Sequence, residues 1–147
     1  MKFIFISIGK QSDQNIADAI ADYSKRISRY FSIEWKLIPS SNKDKEAESI
    51  LKSLDSGDFV VALDDKGKEL GTMELSKFLE KRMSASDKRI VFVIGGSYGI
   101  AEKVQERANY KWSLSKLTFP HQLVRLILVE SIYRAISVIK NEPYHHA

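Results

Sequence analysis

The sequence predicts a three-layer α/β domain built around a mainly parallel sheet. Two uniformly apolar runs, 59–63 and 90–94, have the composition of strands that are covered on both faces. Helical and strand-like segments alternate five times along the chain, an order typical of parallel sheets with crossover helices. Of the 147 residues 44% are hydrophobic and 29% charged, so we expect one domain, 1–147, with a core of its own.

The first part of the chain supplies two strands and two helices. An apolar strand covers residues 2–8, and Ser12 is placed to cap the following helix. The apolar residues of that helix recur at spacings of three and four: Ile16, Ile20, Tyr23, Ile27 and Phe31. A half-exposed strand ends at Pro39, and its apolar residues alternate with polar ones: Ile33, Trp35 and Leu37. After the polar loop 40–45, a short apolar stripe predicts a helix that ends at Gly57.

The middle of the chain continues the alternation. The strand 59–63 runs into 64–68, where adjacent acidic residues precede Lys-Gly-Lys, and we expect a solvated turn there. Thr72 begins a third helix, whose inward-facing residues are predicted to be Met73, Leu75, Phe78, Leu79 and Met83. The strand 90–94 ends in the glycine turn 95–99.

The last third of the chain is predicted to hold a helix, a strand and a second helix. The first helix covers about 100–109, and a short strand covers about 111–117. A long apolar helix follows at about 121–141 and ends before Pro143.

Composition narrows the classes of protein. Cysteine is absent, which excludes disulfide scaffolds, thiolate metal sites and cysteine nucleophiles. The apolar start is much shorter than a membrane span and lacks the cleavage pattern of a signal peptide, so we expect a cytoplasmic protein without membrane contact. The net charge is +4, and residues 101–147 hold seven basic and four acidic side chains. Most of the positive surplus, which favours polyanionic partners, therefore lies in the last third.

Three segments that follow strands are chemically unusual: 63–68, 95–99 and 114–121. The carboxyl ends of parallel strands meet at one edge of a sheet, and ligands bind in the crevice outside that edge. We therefore expect these segments to share one ligand site.

Two of these segments have more than one interpretation from their residues alone. The turn 95–99 lets backbone amides approach a ligand, but it also suits a tight strand-to-helix connection. It matches neither G-x-G-x-x-G nor a phosphate-binding P-loop. The segment 112–121 either lines a pocket with its backbone or forms an edge strand, with Thr118 capping the next helix and Pro120 in the first turn.

The last helix and the residues after it hold several candidate polar groups. His121 and Arg125 lie four residues apart and share a face, whereas Glu130 and Arg134 have the spacing of an ordinary helical ion pair. The residues after the helix either fray or are anchored by the ring of Tyr144. Two adjacent histidines without further ligands make a poor metal site, so we expect no metal.

Five motifs occur in order along the chain: Leu63-Asp64-x-x-Gly67-Lys68, Ile94-Gly95-Gly96-x-x-Gly99, the run from Trp112 to Arg125, Glu130-x-x-Tyr133-Arg134-Ala135, and Pro143-Tyr144-His145. Together they resemble the RlmH-type SPOUT methyltransferases, and the resemblance covers essentially the whole chain. It implies a deep trefoil knot in the C-terminal part, a homodimer, and S-adenosylmethionine as the cofactor. It also implies methylation of N3 of a pseudouridine, position 1915 of 23S ribosomal RNA, in the assembled ribosome.

The same resemblance assigns site residues by their position in the motifs. The cofactor pocket is formed by Leu63, Gly95, Gly96, Gly99, Leu114, Ser115, Lys116, Leu117, Thr118 and Phe119. The reaction and the RNA contacts are assigned to His121, Arg125, Glu130, Arg134, Tyr144 and His145. The two arginines are expected to position RNA phosphate or to stabilise negative charge on the base. A histidine or tyrosine after the last helix of one subunit is expected to complete the site of the other.

The chain differs from the family pattern at one place, and two alternative functions remain open. Relatives often continue after Pro-Tyr-His with a basic residue, whereas this chain has His146-Ala147, which weakens a phosphate contact there. A non-catalytic ribosome-binding or assembly factor on the same fold is one alternative. A nucleotide-binding enzyme that holds phosphate with 95–99 is the other. The sequence contains no H-E-x-x-H motif, so a metalloenzyme function has no support.

Overall fold

A computed structural model of the chain describes residues 1–11 and 13–146. In chain order the elements are β1 (Lys2–Ile8), α1 (Gln14–Ile27), β2 (Ser32–Ile38), α2 (Lys43–Lys52), β3 (Phe59–Glu69), α3 (Thr72–Ser84), β4 (Arg89–Ile94), α4 (Glu102–Arg107), β5 (Tyr110–Ser113) and α5 (His121–Ile139). The strands form one parallel sheet in the order β2-β1-β4-β3-β5. The predicted parallel sheet is confirmed, and the apolar strand β4 lies at its centre.

The sheet separates two hydrophobic clusters. On one face, Phe5, Val61 and Phe92 pack with buried residues of α1, α3 and α5. On the other face, neighbouring residues of the same strands, such as Val60 and Val91, pack with α2 and α4. Successive side chains of a strand point to opposite faces, so a strand buried on both sides must be apolar throughout. This confirms the three-layer α/β class.

Strand β3 is longer than predicted and includes the segment 64–68. Leu63 and Lys68 both pair with Trp112 of β5, so an irregularity separates two stretches of pairing. Within it, the carboxylate of Asp64 accepts a hydrogen bond of 3.0 Å from the backbone N–H two residues later. The expected solvated turn was therefore wrong, because pairing with a distant strand outweighs the local turn preference.

Strand β5 is shorter than predicted, since it ends at Ser113 and residues 114–120 are irregular. Pro120 is the N-cap of α5, and no side chain caps that helix, so the capping role expected of Thr118 was wrong. The edge-strand interpretation of this segment is excluded beyond Ser113. Its backbone is thereby free of sheet pairing and can line a cavity.

Helix α1 begins with Asp13 as its N-cap, and the carboxylate accepts a hydrogen bond of 3.1 Å from the N–H of Ile16. Ser12, the predicted cap, lies outside the described residues. The helix ends at Ile27, earlier than its apolar stripe predicts. Phe31 follows a turn but still packs edge-on against a core phenylalanine.

Helix α3 shows one error in the predicted burial. Leu75 and Leu79 are buried as expected, but Met73 is 47% exposed. Ser76 is buried instead, and its hydroxyl donates to the backbone carbonyl of Met73 at 2.8 Å. A small residue that satisfies its own hydroxyl can replace a large apolar one at a helix position of this kind.

Helix α5 comes late in the chain and packs against α1, which comes early, and against α3. All three helices lie on one face of the sheet. The trefoil knot concerns how this final segment threads through the preceding loops, and it stays a prediction of the family resemblance. Among the helices that the structure describes, none is long and apolar enough to cross a membrane.

Candidate functional site

A cavity of about 510 Å³ lies at the carboxyl edge of the sheet, in the size range of small-molecule sites. Three segments meet there: the end of β3 from Leu63 to Asp65, the glycine turn after β4, and residues 114–119 with the start of α5. They belong to the three segments that the sequence analysis predicted to share one site. Strands β3, β4 and β5 bring them together because they are neighbours in the sheet.

The glycine turn lines the cavity, and two of its three glycines have no room for a side chain. A Cβ at Gly95 would lie 2.8 Å from the backbone carbon of Gly99, and one at Gly96 would lie 2.8 Å from Cγ2 of Ile8. The turn is closed by a 2.9 Å hydrogen bond from the N–H of Gly99 to the carbonyl of Gly96. The turn is therefore a tight connection that also lines the cavity, and contact of its backbone with a ligand stays a prediction.

The segment 114–119 contributes another part of the cavity wall. The hydroxyls of Ser113 and Ser115 fix the conformation of its backbone. The hydroxyl of Ser113 donates to the carbonyl of Ser115 at 3.0 Å, and the hydroxyl of Ser115 accepts from the N–H of Leu117 at the same distance. Five of the six predicted residues line the cavity: Leu114, Ser115, Leu117, Thr118 and Phe119. Lys116 does not, because its side chain is 86% exposed and lies 3.9 Å from Glu69.

The charges of the cavity wall are negative. Asp64 and Asp65 both line it, whereas no lysine or arginine does so among residues 1–11 and 13–146. The sequence analysis did not include these two carboxylates among the site residues, because it predicted a solvated turn at their position. Gln105 of α4 also lines the cavity. It belongs to none of the sequence motifs, so the sequence did not predict it as a site residue.

The residues predicted for the reaction do not lie together. His121, at the first position of α5, lines the cavity. Arg125 instead lies in the interior, 3% exposed, where its guanidinium donates to Ser7 Oγ at 2.7 Å, to the carbonyl of Ile8 at 3.2 Å and to that of Gly9 at 2.8 Å. Burial lowers the pKa of this arginine. Every described hydrogen-bond partner of its guanidinium lies at the end of β1, which argues against the expected contact of Arg125 with RNA phosphate, and its role in the reaction stays a prediction.

The other four predicted residues form a separate group, which we call the tail cluster: Glu130, Arg134, Tyr144 and His145. Arg134 Nε donates to Glu130 at 2.7 Å, and Arg134 Nη1 lies 3.3 Å from Nδ1 of His145. Its guanidinium carbon also lies 4.6 Å from the centre of the Tyr144 ring. The Glu130–Arg134 ion pair is confirmed, and Arg134 also holds the residues that follow α5.

The ring of Tyr144 anchors the tail cluster on the body of the protein. It packs edge-on against Tyr133, with ring centres 4.8 Å apart, and its hydroxyl shares a 3.0 Å hydrogen bond with that of Tyr23 in α1. Of the two possibilities left by the sequence, anchoring is the one that the structure shows. Along α5, Arg134 lies thirteen residues after His121, which corresponds to about 20 Å. Within one chain the tail cluster is therefore far from the cavity.

Titration of Tyr144 measures how firmly the tail is anchored. Burial, together with the hydrogen bond to Tyr23, raises the pKa of Tyr144 from 10.0 to about 12. Because the folded-state pKa is the higher one, the stabilisation is complete below pH 10 and is lost as the pH rises through about 12. We expect the difference in tyrosinate absorbance between the wild type and Tyr144→Phe to titrate near pH 12. A difference curve centred on pH 10 would mean that the ring is free in solution.

Comparisons with known proteins agree with this geometry. A family model described as "Predicted SPOUT methyltransferase" matches residues 1–145. Ribosomal RNA large subunit methyltransferase H of Parabacteroides distasonis is 46% identical over 156 residues, and the match covers 99% of each chain.

Two solved structures share the fold at low identity. A tRNA methyltransferase from Aquifex aeolicus superimposes with a TM-score of 0.58 at 15% identity, over 100% of this chain and 76% of that one. The SpoU methyltransferase AviRb from Streptomyces viridochromogenes, in complex with AdoMet, gives 0.50 at 9% identity, over 96% and 61%. A family model that spans nearly the whole chain, and a relative that matches it from end to end, show that the chain belongs to the SPOUT methyltransferase family.

Proposed function

We propose that this protein transfers a methyl group from S-adenosylmethionine to N3 of pseudouridine 1915 in 23S ribosomal RNA. One observation carries the proposal: a full-length relative at 46% identity is named ribosomal RNA large subunit methyltransferase H. The cavity at the carboxyl edge of the sheet is the place for the donor. The substrate implies that the protein works in the cytoplasm with ribosomes.

The cavity residues fit this donor better than they fit a nucleotide phosphate. Apolar side chains such as Leu63, Ile100 and Leu114 can cover an adenine ring, and the glycine turn presents backbone groups without side chains in the way. The carboxylates of Asp64 and Asp65 favour a cationic sulfonium, whereas they repel phosphate. Among the described residues no lysine or arginine lines the cavity. This disfavours the nucleotide-binding alternative.

The chemistry requires positioning more than covalent work. When bound, S-adenosylmethionine supplies an already activated methyl group. The protein must hold N3 in line with that methyl group and favour loss of the N3 proton. We assign cofactor contacts to the residues of the three cavity segments, and positioning of the base to His121 together with the tail cluster. Arg134, which is partly exposed, takes the RNA-facing role that the buried Arg125 cannot take.

We also propose that the enzyme is a homodimer whose sites are shared between subunits. Leu123, Ile127 and Val138 lie on one face of α5, are partly exposed, and belong to neither hydrophobic cluster of the described chain. The small residue Ser131 and the partly exposed Glu130–Arg134 ion pair lie on the same face, so a partly apolar face with room for close approach suits contact with a second copy. In a twofold dimer each contact occurs twice, so antiparallel α5 helices would bring the end of one helix to the start of the other. The tail cluster of one copy would then lie near the cavity of its partner.

Two measurements test the function. Titration calorimetry should show binding of S-adenosylmethionine, and absence of both heat and thermal stabilisation would favour a non-catalytic ribosome-binding factor. Methyl transfer should then be compared on free ribosomal RNA, isolated large subunits and whole ribosomes that lack this methyl group. We expect whole ribosomes to be the best substrate, because residues 1–11 and 13–146 form one sheet with its helices, and recognition of the RNA then depends on contacts with the rest of the ribosome. A methyl group mapped to a ribose hydroxyl would contradict the proposal.

A further inference from the structure

One residue of the cavity wall carries a buried side-chain acceptor that has no hydrogen-bond partner in the described chain. Oε1 of Gln105 is buried and accepts no hydrogen bond from any residue of the described chain. Gln105 lines the cavity together with Asp64. Leaving a buried amide oxygen unpaired is unfavourable, so an N–H or O–H group of a ligand in this position is favoured.

The orientation of the Gln105 amide is fixed by Asp64. Nε2 of Gln105 donates to Oδ2 of Asp64 at 3.2 Å, and Oδ1 of Asp64 accepts from the N–H of Lys66 at 3.0 Å. Both carboxylate oxygens are therefore engaged, and the amide nitrogen is the atom that faces the carboxylate. The acceptor left over is a neutral oxygen, held in place by α4 and the irregular part of β3.

We propose that Gln105 determines specificity for the methyl donor by accepting a hydrogen bond from the exocyclic amine of its adenine ring. This inference rests on the proposed function and names one of its contacts. The donor's neutral hydrogen-bond donors are the adenine amine and the ribose hydroxyls, of which only the amine differs between the two probes named below, whereas the ammonium of the methionine part is charged. A neutral group costs far less to bury beside an uncharged acceptor. The apolar side chains of Leu63 and Ile100, which line the same cavity, suit the faces of a purine.

Ligand discrimination tests the inference on the wild-type protein. The two probes are S-adenosylhomocysteine and S-inosylhomocysteine, in which a carbonyl replaces the exocyclic amine and would oppose Oε1 of Gln105. Titration calorimetry should give about tenfold weaker binding of the inosine compound, the loss expected for one buried hydrogen bond. Equal affinities would overturn the inference while leaving the proposed function intact. Failure to bind either compound would overturn the proposed function, and the inference with it.

Variants then assign the discrimination to one residue. Gln105→Met keeps the length of the side chain but removes the acceptor, so the preference for the adenine compound should fall to about twofold. Glu106→Gln is the control, because it lies next in α4, is exposed and is not in the cavity wall, and it should keep the wild-type preference. Gln105→Leu serves as a second variant if thermal melting shows that the first does not fold. A Gln105 variant that keeps the tenfold preference, or that weakens both compounds equally, would contradict the assignment.

Discussion

Replacing Arg125 with methionine lowers the free energy of unfolding by about 3 kcal/mol, as expected when buried acceptors lose a charged donor. Methionine fills much of the space but donates no hydrogen bond, so the carbonyls of Ile8 and Gly9 and the hydroxyl of Ser7 lose their partner. Chemical denaturation followed by circular dichroism measures the change. Arg125→Lys should lie between the two proteins, because a lysine keeps one cationic donor but not the planar fork.

Arg134→Met is the matched control for stability, since it makes the same substitution in the same helix. Its ion pair with Glu130 is partly exposed, so the free energy of unfolding should fall by less than about 1 kcal/mol. If Arg125→Met unfolds at the wild-type denaturant midpoint, the end of β1 does not depend on this guanidinium.

The same Arg134→Met variant should lose methyl transfer about 100-fold while its affinity for S-adenosylmethionine stays unchanged. Arg134 holds His145 and the ring of Tyr144 in place, so its loss releases the residues that we assign to positioning the base. Misplacement of a positioning group by about 1 Å is enough for a loss of this size. Single-turnover methylation of ribosomes measures the rate, and calorimetry measures donor affinity. Full methylation by His145→Ala at saturating donor would remove the residues after α5 from the mechanism.

Mixed dimers test whether the site is shared. Gly95→Val should distort the glycine turn that lines the cavity, because a Cβ at this position would lie 2.8 Å from the backbone carbon of Gly99. Dimers that pair this variant with Arg134→Met contain one intact cavity and one intact tail cluster, on different subunits. If the tail of one subunit completes the cavity of the other, mixing two inactive proteins restores activity. Mixing without any gain would place the tail cluster and cavity of each site on the same subunit.

The parts of the structure that were predictable are those decided by local composition. The strands around Val61 and Phe92 are apolar on both faces because both faces are covered, and that pattern is visible in the sequence. The position of the cavity follows from parallel strand order. The bulged end of β3 was not predictable, because its conformation depends on pairing with Trp112, which is far away in the chain.

The roles of single polar residues were harder to predict than the site itself. Spacing places His121 and Arg125 on one helical face, but only packing decides that the first lines the cavity and the second is buried against β1. Gln105 carries no motif, and its importance arises from the contact with Asp64 across two elements. The family resemblance assigned the four residues of the tail cluster to the reaction together with His121 and Arg125, whereas the distance of the tail cluster from the cavity within one chain is visible only in the structure.

The bond between Arg125 and Ser7 has a consequence for synthesis of the protein. It joins residues that are 118 positions apart, so the end of β1 cannot obtain its partner until α5 has been made. While the chain is still being synthesised, its first strand therefore carries unpaired carbonyls and an uncovered apolar face. Contacts over such separations slow folding. The protein is thus unable to complete this part of its fold until α5 has emerged from the ribosome that synthesises it.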